Sequence, residues 1–236
     1  MIYVMSDLHG RYDAFLMMLD EISFQQNDIL FLLGDYVDRG DQSMKLLFDL
    51  MYRDNVYCLC GNHDVLACEC LKVLKQEITD EFIQSLDGET LEMIIEWINH
   101  IGGKATLDDF KKLNEEQKEM ILEFLDELPM YDKIVVNNQT YLLVHTLGHK
   151  EFTREKDISE YDYDQLLWER CDYGMEYYKD KILITGHTPT LCIFDNPNPD
   201  KIYKKYNHIA IDCGMKRLAC LCLDTMEEFY LDITTK

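Results

Sequence analysis

Ile29-Leu30-Phe31-Leu32-Leu33-Gly34-Asp35-Tyr36-Val37-Asp38-Arg39-Gly40 is the stretch on which the reading of this chain turns. Its apolar run has the length and composition of a strand buried on both faces. Gly34 ends the run, and the loop that follows carries Asp35, Asp38 and Arg39 within one turn of chain. The same order, an apolar run followed at once by acidic, imidazole or amide side chains, recurs along the sequence. Residues 1–5 lead to Asp7 and His9, 56–60 to Gly61-Asn62-His63-Asp64, 141–144 to His145, and 182–185 to Gly186-His187.

Helical stretches near 12–22 and 43–53 separate the first three runs, which predicts a βαβαβ beginning with polar loops at the strand carboxyl ends. Further strand-like runs at 209–211, 218–223 and 229–233 lie close together and predict a β-rich end. Between 65 and 129 the pattern turns helical. Leu91, Ile94, Ile95 and Ile98 form one stripe at helical spacing, and Ile121, Phe124, Leu125 and Leu128 another. Gly102-Gly103 interrupts the first helix. The expected organisation is one α/β domain over residues 1–236 with a helical insert or cap at about 65–130.

Each polar segment has a chemical reading of its own. Asp7 and His9, two apart after a strand, would project to one side if extended, and an oxygen with an imidazole nitrogen suits a first-row divalent ion. Asp35 stands where its carboxylate could bridge two metals. Arg39 offers a planar fixed cation suited to phosphate. Asn62 supplies a neutral oxygen. His63 is then free to move a proton, with Asp38 as the partner that would hold its tautomer. His145 and His187 complete the ligand set. His100, His149 and His208 have no such context and read as surface or packing residues.

The chain has 236 residues and a net charge of −22, which argues against a polymeric nucleic-acid partner. A small phosphorylated substrate stays compatible, because divalent cations invert the local potential. No apolar run approaches bilayer length, and residue 1 leads straight into the first strand without a basic leader. A non-membrane, cytoplasmic location is therefore expected. The nine cysteines are odd in number, which fits reduced thiols better than disulfides. Cys58/Cys60 and Cys220/Cys222 would each share a strand face. A zinc–thiolate site is the sharper alternative to buried thiols. No cysteine sits in a phosphate-cradling loop, which excludes a cysteine-nucleophile phosphatase.

Three segments together carry a family resemblance: Asp7-Leu-His-Gly10, Gly34-Asp-Tyr-Val-Asp-Arg-Gly40 and Gly61-Asn-His-Asp64. They resemble the phosphoprotein phosphatase branch of the calcineurin-like metallophosphoesterases. His145 and Gly186-His187-Thr-Pro189 extend the likeness over nearly the whole chain. Trp168-Glu-Arg170, and Trp97 with Gly102-Gly-Lys-Ala-Thr106, resemble the bacterial and phage enzymes related to the bacteriophage lambda phosphatase. The second pattern does not mark the sister group of symmetrical dinucleoside tetraphosphatases, so it tilts the expectation toward a serine/threonine protein phosphatase.

The resemblance implies a four-layer α/β/β/α sandwich and two divalent metal ions, manganese first, with iron or zinc also compatible. It implies that Asp7, His9 and Asp35 hold one metal and that Asp35, Asn62, His145 and His187 hold the other. Arg39, Arg170 and the Asn62 amide would contact phosphate. His63, oriented by Asp38, would protonate the leaving group. The implied reaction is in-line attack on a phosphomonoester by a hydroxide shared between the metals. The expected substrate is a phosphorylated protein, peptide or small phosphoester. Symmetrical dinucleoside tetraphosphate hydrolysis is the alternative, and an inert binding module is a remote one. Two departures from the family pattern are Thr146-Leu147, where small residues are usual and a narrowed pocket is expected, and Asp64 in place of the commoner Glu.

Overall fold

The computed structural model describes residues 1–76 and 79–233. In chain order the first half runs β1 (Ile2–Met5), α1 (Tyr12–Glu21), β2 (Ile29–Leu32), α2 (Ser43–Met51) and β3 (Val56–Cys58). The helices α3 (Asn62–Leu74), α4 (Asp80–Ser85), α5 (Gly88–Glu96), α6 (Gly103–Phe110) and α7 (Glu115–Asp126) follow, with a π-helical turn at Trp97–Ile101 between α5 and α6. The second half is β4 (Tyr131–Val136), β5 (Gln139–Val144), α8 (Tyr163–Leu167), β6 (Ile182–Thr185), β7 (Tyr203–Lys205), β8 (His208–Ala210), β9 (Arg217–Cys222) and β10 (Glu228–Asp232).

Two sheets form. One has the order β10-β9-β1-β2-β3 and the other β4-β5-β6-β8-β7. Strands β1, β2 and β3 are parallel, as are β5, β6 and β8, so both sets of polar loops emerge at the same kind of strand end. The chain end is β-rich as expected, with its strands divided between the two sheets. β8 joins the second sheet, while β9 returns antiparallel to β1 and closes the first.

The apolar runs explain the layering. Val4, Phe31, Leu33 and Leu221 point between the sheets, against Leu143, Ile184 and Ile209. Their neighbours Met5, Leu30, Leu32 and Cys220 point the other way, into a core shared with α1, α2, α3, α6 and α7. Each such side chain contributes about 1.5–3 kcal/mol by leaving water. The outer face of the second sheet, through Leu142, Val144 and Leu183, is covered by α8 and irregular chain carrying Tyr161, Tyr177 and Tyr178. The result is the expected α/β sandwich, with an outer layer that holds little regular helix.

Two edge strands escape the sequence reading. β4 opens with an adjacent charged pair, Asp132-Lys133, and is tied to β5 by Asn137-Asn138, both in the left-handed region that a two-residue hairpin turn requires. β7 is three residues long and pairs only with β8. The helix stripes also need one correction: Ile94 is buried, but Ile95 is 47% exposed because α5 gives way to the π-helical turn. Trp97, the first residue of that turn and three beyond Ile94, is fully buried instead.

Among the described residues, no helix is long and apolar enough to cross a membrane. All nine cysteines are free. Cys60, Cys68, Cys70, Cys220 and Cys222 are buried in one apolar cluster, as packing thiols would be. Cys192 is exposed, and burial raises the Cys58 thiol to about 12. A disulfide-exchange reagent should therefore label the native protein at Cys192 first and all nine thiols only after denaturation. Release of zinc on thiol labelling would reinstate the thiolate site.

Candidate metal centre

The loops that follow β1, β2 and β3 are stitched to one another before any side chain is considered. The backbone N–H of Asp7 donates to Gly34 O (3.1 Å), that of His9 to Asp35 O (2.8 Å), and that of Gly10 to Tyr36 O (2.6 Å). Asp64, on the first turn of α3, accepts from the backbone N–H groups of Asp35 (2.7 Å), Tyr36 (2.8 Å) and Gly61 (2.9 Å). The shorter acid thus performs a bracing role, clamping the second loop to the third. Gly34 and Gly61 meet at this seam: a Cβ on Gly34 would lie 2.5 Å from Gly61 N. Such a contact leaves no room for any side chain at Gly34.

Asp7, His9, Asp35, Asp38, Arg39 and His187 all adopt positive φ, between 46° and 70°. This corrects the extended geometry expected for Asp7 and His9. Left-handed backbone costs an L-residue roughly 1–2 kcal/mol. The interloop hydrogen bonds offset that strain and turn the side chains toward a common centre.

Asp35 sits at that centre. Its Oδ2 faces His9 Nε2 (3.6 Å) and His63 Nε2 (3.9 Å), and its Oδ1 faces His145 Nε2 (3.5 Å). Asp7, Asp35 and His145 form one group with ligand atoms close enough to share an ion; His9, Asp35 and His63 form another. Asn62 Oδ1 lies 3.0 Å from both His145 Nε2 and His187 Nδ1. The structure thereby brings together Asp7, His9, Asp35, Asn62, His145 and His187.

The protons of the imidazoles are spoken for elsewhere. His9 Nδ1–H donates to Val37 O (3.0 Å) and His145 Nδ1–H to Leu33 O (2.6 Å). The backbone N–H of His187 donates to Asp7 Oδ2 (3.1 Å), which ties its loop to the first. His145 Nε2, His187 Nδ1 and Asn62 Oδ1 converge within 3.2 Å of one another. Lone pairs aimed at one point, beside buried carboxylates, are a donor set for cations. Asp35 belongs to both candidate groups, so the residues present fit divalent cations.

The titration behaviour has the same cause. Burial, then the neighbouring Asp35, pushes Asp7 up to about 7, and the same two influences push Asp64 up to about 7. Burial would raise Asp35 too, but the surrounding imidazoles outweigh it and hold that carboxyl low. Burial, then His145, lowers His187 to about 3.

His63 stands apart from the lone-pair cluster in one respect. Its Nδ1–H donates to Asp38 Oδ2 (2.8 Å). Burial alone would lower its pKa, but Asp35 and Asp38 together raise it. Asp38 is fully buried and held from three directions. Trp97 Nε1–H donates to its two oxygens at 3.0 and 3.1 Å, and Thr106 Oγ1–H donates to Oδ1 (2.8 Å). Gly103 lies flat on the Trp97 ring, where a Cβ would come within 2.1 Å. The Trp97…Gly102-Gly103…Thr106 pattern is thus a brace for Asp38, a role the sequence did not disclose.

Arg39 reaches across the mouth and donates to His9 Nε2 (2.7 Å) and His63 Nε2 (3.0 Å). Arg170 is exposed, near enough to His187 to help lower its pKa. Thr146 and Leu147 do not narrow the site. Leu147 is fully buried under the second sheet, and Thr146 Oγ1–H donates to Glu169 O (2.7 Å). The chain turns inward after His145, so Thr146 braces the Trp168–Arg170 segment and Leu147 packs in the apolar layer.

Two site residues went unread. Asp212 is buried, and burial followed by Asp7 raises its carboxyl well above the usual range. Arg11 lies close to Arg39, Asp212 and Asp7. Asp212 follows the apolar run at 209–211, so the strand-end rule applied to that run would have found it.

Comparison with known proteins agrees with this geometry. The family description "Calcineurin-like phosphoesterase" matches residues 1–214. The chain belongs to that family. Among curated relatives, a symmetrical bis(5'-nucleosyl)-tetraphosphatase of Wigglesworthia glossinidia brevipalpis is 32% identical over 136 residues, 55% of this chain and 46% of that protein. One from Buchnera aphidicola is 31% identical over 156 residues, 64% of this chain and 53% of the relative. The chain thus spans about half the length of the curated relatives it matches. In fold it resembles a crystallised candidate diadenosine tetraphosphatase (TM-score 0.62, 16% identity, 98% of this chain and 92% of that one). It also resembles a serine/threonine phosphatase from Saccharomyces cerevisiae (TM-score 0.56, 14% identity, 100% and 80%).

The buried acids give this calcineurin-like centre a testable pH signature. In the metal-free protein Asp7 and Asp64 bind protons more tightly folded than unfolded, so their contribution to stability is lost as pH rises through about 7. Divalent cations compensate the ionised carboxylates and compete with protons for them. Adding manganese to chelator-stripped protein should raise Tm more at pH 8 than at pH 6. An equal or smaller rise at pH 8 would separate the carboxylates from the binding site.

Proposed function

We propose that this chain is a two-metal phosphoesterase whose preferred substrates are symmetrical dinucleoside tetraphosphates. The observation that carries the phosphoesterase reading is Asp35, whose two oxygens face two distinct ligand sets. The substrate class rests on the curated relatives that match over half or more of this chain. It replaces phosphoprotein as the leading expectation.

Asp7, His9 and Asp35 would hold one cation, and Asp35, Asn62, His145 and His187 the other. When bound, the pair supplies Lewis acidity that lowers the pKa of a water and neutralises charge on the phosphoryl group. The protein's own part is orientation and proton movement. Arg39 offers its fork to phosphoryl oxygens from across the mouth, and Arg170 reaches toward the same region from the far side. His63, held by Asp38, presents Nε2 toward Asp35 Oδ2 (3.9 Å), where it would protonate the leaving group. Trp97 and Thr106 keep Asp38 from rotating, so the imidazole keeps one tautomer and one direction.

A second reading, hydrolysis of phosphoserine or phosphothreonine, keeps the support of the Trp97–Gly103–Thr106 pattern on which the resemblance to lambda-type phosphatases rests. The readings differ in leaving group. A nucleoside diphosphate departs as a weak base, its phosphate pKa being ~6, whereas an alkoxide needs a proton. Turnover of diadenosine tetraphosphate and of a phosphothreonine peptide, measured side by side with manganese, decides between them. Faster cleavage of the dinucleotide, to ADP alone, is expected. Exclusive use of the peptide would remove the first reading.

His63→Asn should lower kcat on an alkyl phosphate by roughly two to four orders of magnitude with metal content unchanged, and less on the dinucleotide. Loss of metal in that variant would make His63 a ligand. Trp97→Phe removes one hydrogen bond to the carboxylate, worth about 1.5–3 kcal/mol. It should reproduce the same leaving-group dependence at about tenfold or greater loss. A uniform loss on all substrates would mean that Trp97 only fills space.

A further inference from the structure

Beside the metal centre lies a groove of about 540 Å³ lined by His149, Lys150, Asp164, Trp168, Glu169 and Arg170. Its volume is in the range of small-ligand sites. Three of its six lining residues are basic or imidazole side chains, on a chain with 45 acidic and 23 basic residues. Lys150 is partly neutralised by Glu169 at 3.3 Å. Arg170 has no carboxylate partner among the described residues, so its guanidinium faces solvent unpaired. Trp168 is 40% exposed, whereas the other tryptophan, Trp97, is fully buried.

The exposed indole is not on a loose loop. The Trp168 and Glu169 N–H groups both donate to Asp164 O (2.8 and 2.9 Å), and Thr146 holds the next carbonyl. His149 Nδ1 lies 3.2 Å from Arg170 O, and Gly148 N–H donates to Gln165 O (2.8 Å). Thr146, which holds the Glu169 carbonyl, directly follows the candidate ligand His145, so the segment carrying the indole is tied to the metal centre. A rigid, half-exposed aromatic ring beside an unpaired guanidinium is a platform for a flat base attached to phosphate. Arg170 takes the phosphate, and the indole takes the base by stacking.

We infer that Trp168, with Arg170 and Lys150, forms a subsite for the purine nucleoside diphosphate portion of the substrate beyond the scissile phosphate. This deepens the proposed function and rests on it for the identity of the substrate. The unpaired cation and the flat ring favour a nucleotide over a phosphopeptide, which needs no stacking surface. Stacking would also give selectivity to a site whose metals bind any phosphate alike. Because every base has a π-face, the preference would be for purines by stacking strength rather than by hydrogen-bond readout.

The two tryptophans make the test direct. Zinc-loaded protein, free of paramagnetic quenching, is titrated with ADP, with inorganic pyrophosphate and with a phosphothreonine peptide while intrinsic fluorescence is followed. ADP should quench the exposed fraction saturably and pyrophosphate should not; by calorimetry, Trp168→Leu should lose ADP affinity while Trp168→Phe retains it. Unchanged ADP affinity in Trp168→Leu, or an indole in the wild type that responds only to the peptide, overturns the subsite.

Kinetics with manganese give the second readout. In Trp168→Leu, the kcat/KM for diadenosine tetraphosphate relative to glycerol phosphate should fall by roughly 5- to 150-fold, the span of one stacked base. Phe should restore most of it. An unchanged ratio, with the dinucleotide still cleaved by wild type, defeats the subsite and spares the proposed function. ADP binding at Trp168 without any dinucleotide cleavage defeats the proposed function and leaves the subsite standing.

Discussion

A buried carboxylate with imidazoles on both of its oxygens is the constraint that the rest of the structure serves. Asp35 is almost fully enclosed, and Asp7, Asp38, Asp64 and Asp212 are enclosed with it. So many acids in low dielectric repel one another unless hydrogen bonds and cations compensate them. The backbone does part of this, through the three N–H groups gathered by Asp64. Asp38 is served by an indole, a hydroxyl and an imidazole. Only the group around Asp35 is left with lone pairs that face one another, and that remainder is where metal chemistry becomes possible.

The helices between the sheets' halves take part in this compensation. Residues of α6 and of the π-helical turn before it are some 60 positions beyond Asp38 in sequence, yet Trp97 and Thr106 bond it directly. Arg39 N–H also donates to Gly102 O (3.1 Å). The helical segment therefore does more than cover the first sheet. It fixes the geometry of the Asp38–His63 pair, so changes in its packing would be felt as changes in proton transfer.

Much of the framework was legible because buried parallel strands write themselves as unbroken apolar runs, as at 29–33 and 182–185. The ligand positions were legible for the same reason: a polar residue directly after such a run has nowhere to go but the strand end. What escaped was set by tertiary contact. β4 and β7 lie on edges, where adjacent charges such as Asp132-Lys133 and Lys204-Lys205 break the apolar run and the signal fades. No local pattern announces that Trp97 will meet Asp38. Thr146-Leu147 was read as lining the site because of its neighbour His145, but the chain turns under the sheet at that point. Asp212 lacked a histidine or glycine beside it to mark it.

The left-handed backbone at Asp7, His9, Asp35, Asp38, Arg39 and His187 places this protein in conflict with itself. Glycine would sit more comfortably at each of these positions, since it alone carries no Cβ to suffer at positive φ. Every such replacement would remove a charge or an imidazole from the centre. The catalytic loops are thus a reserve of unrealised stability, which random mutation can reach only by discarding chemistry. A drift toward greater thermal tolerance in this fold would be expected to accumulate elsewhere, in the helical layer or the outer loops, and a lineage that lost selection on activity would be free to relax here first.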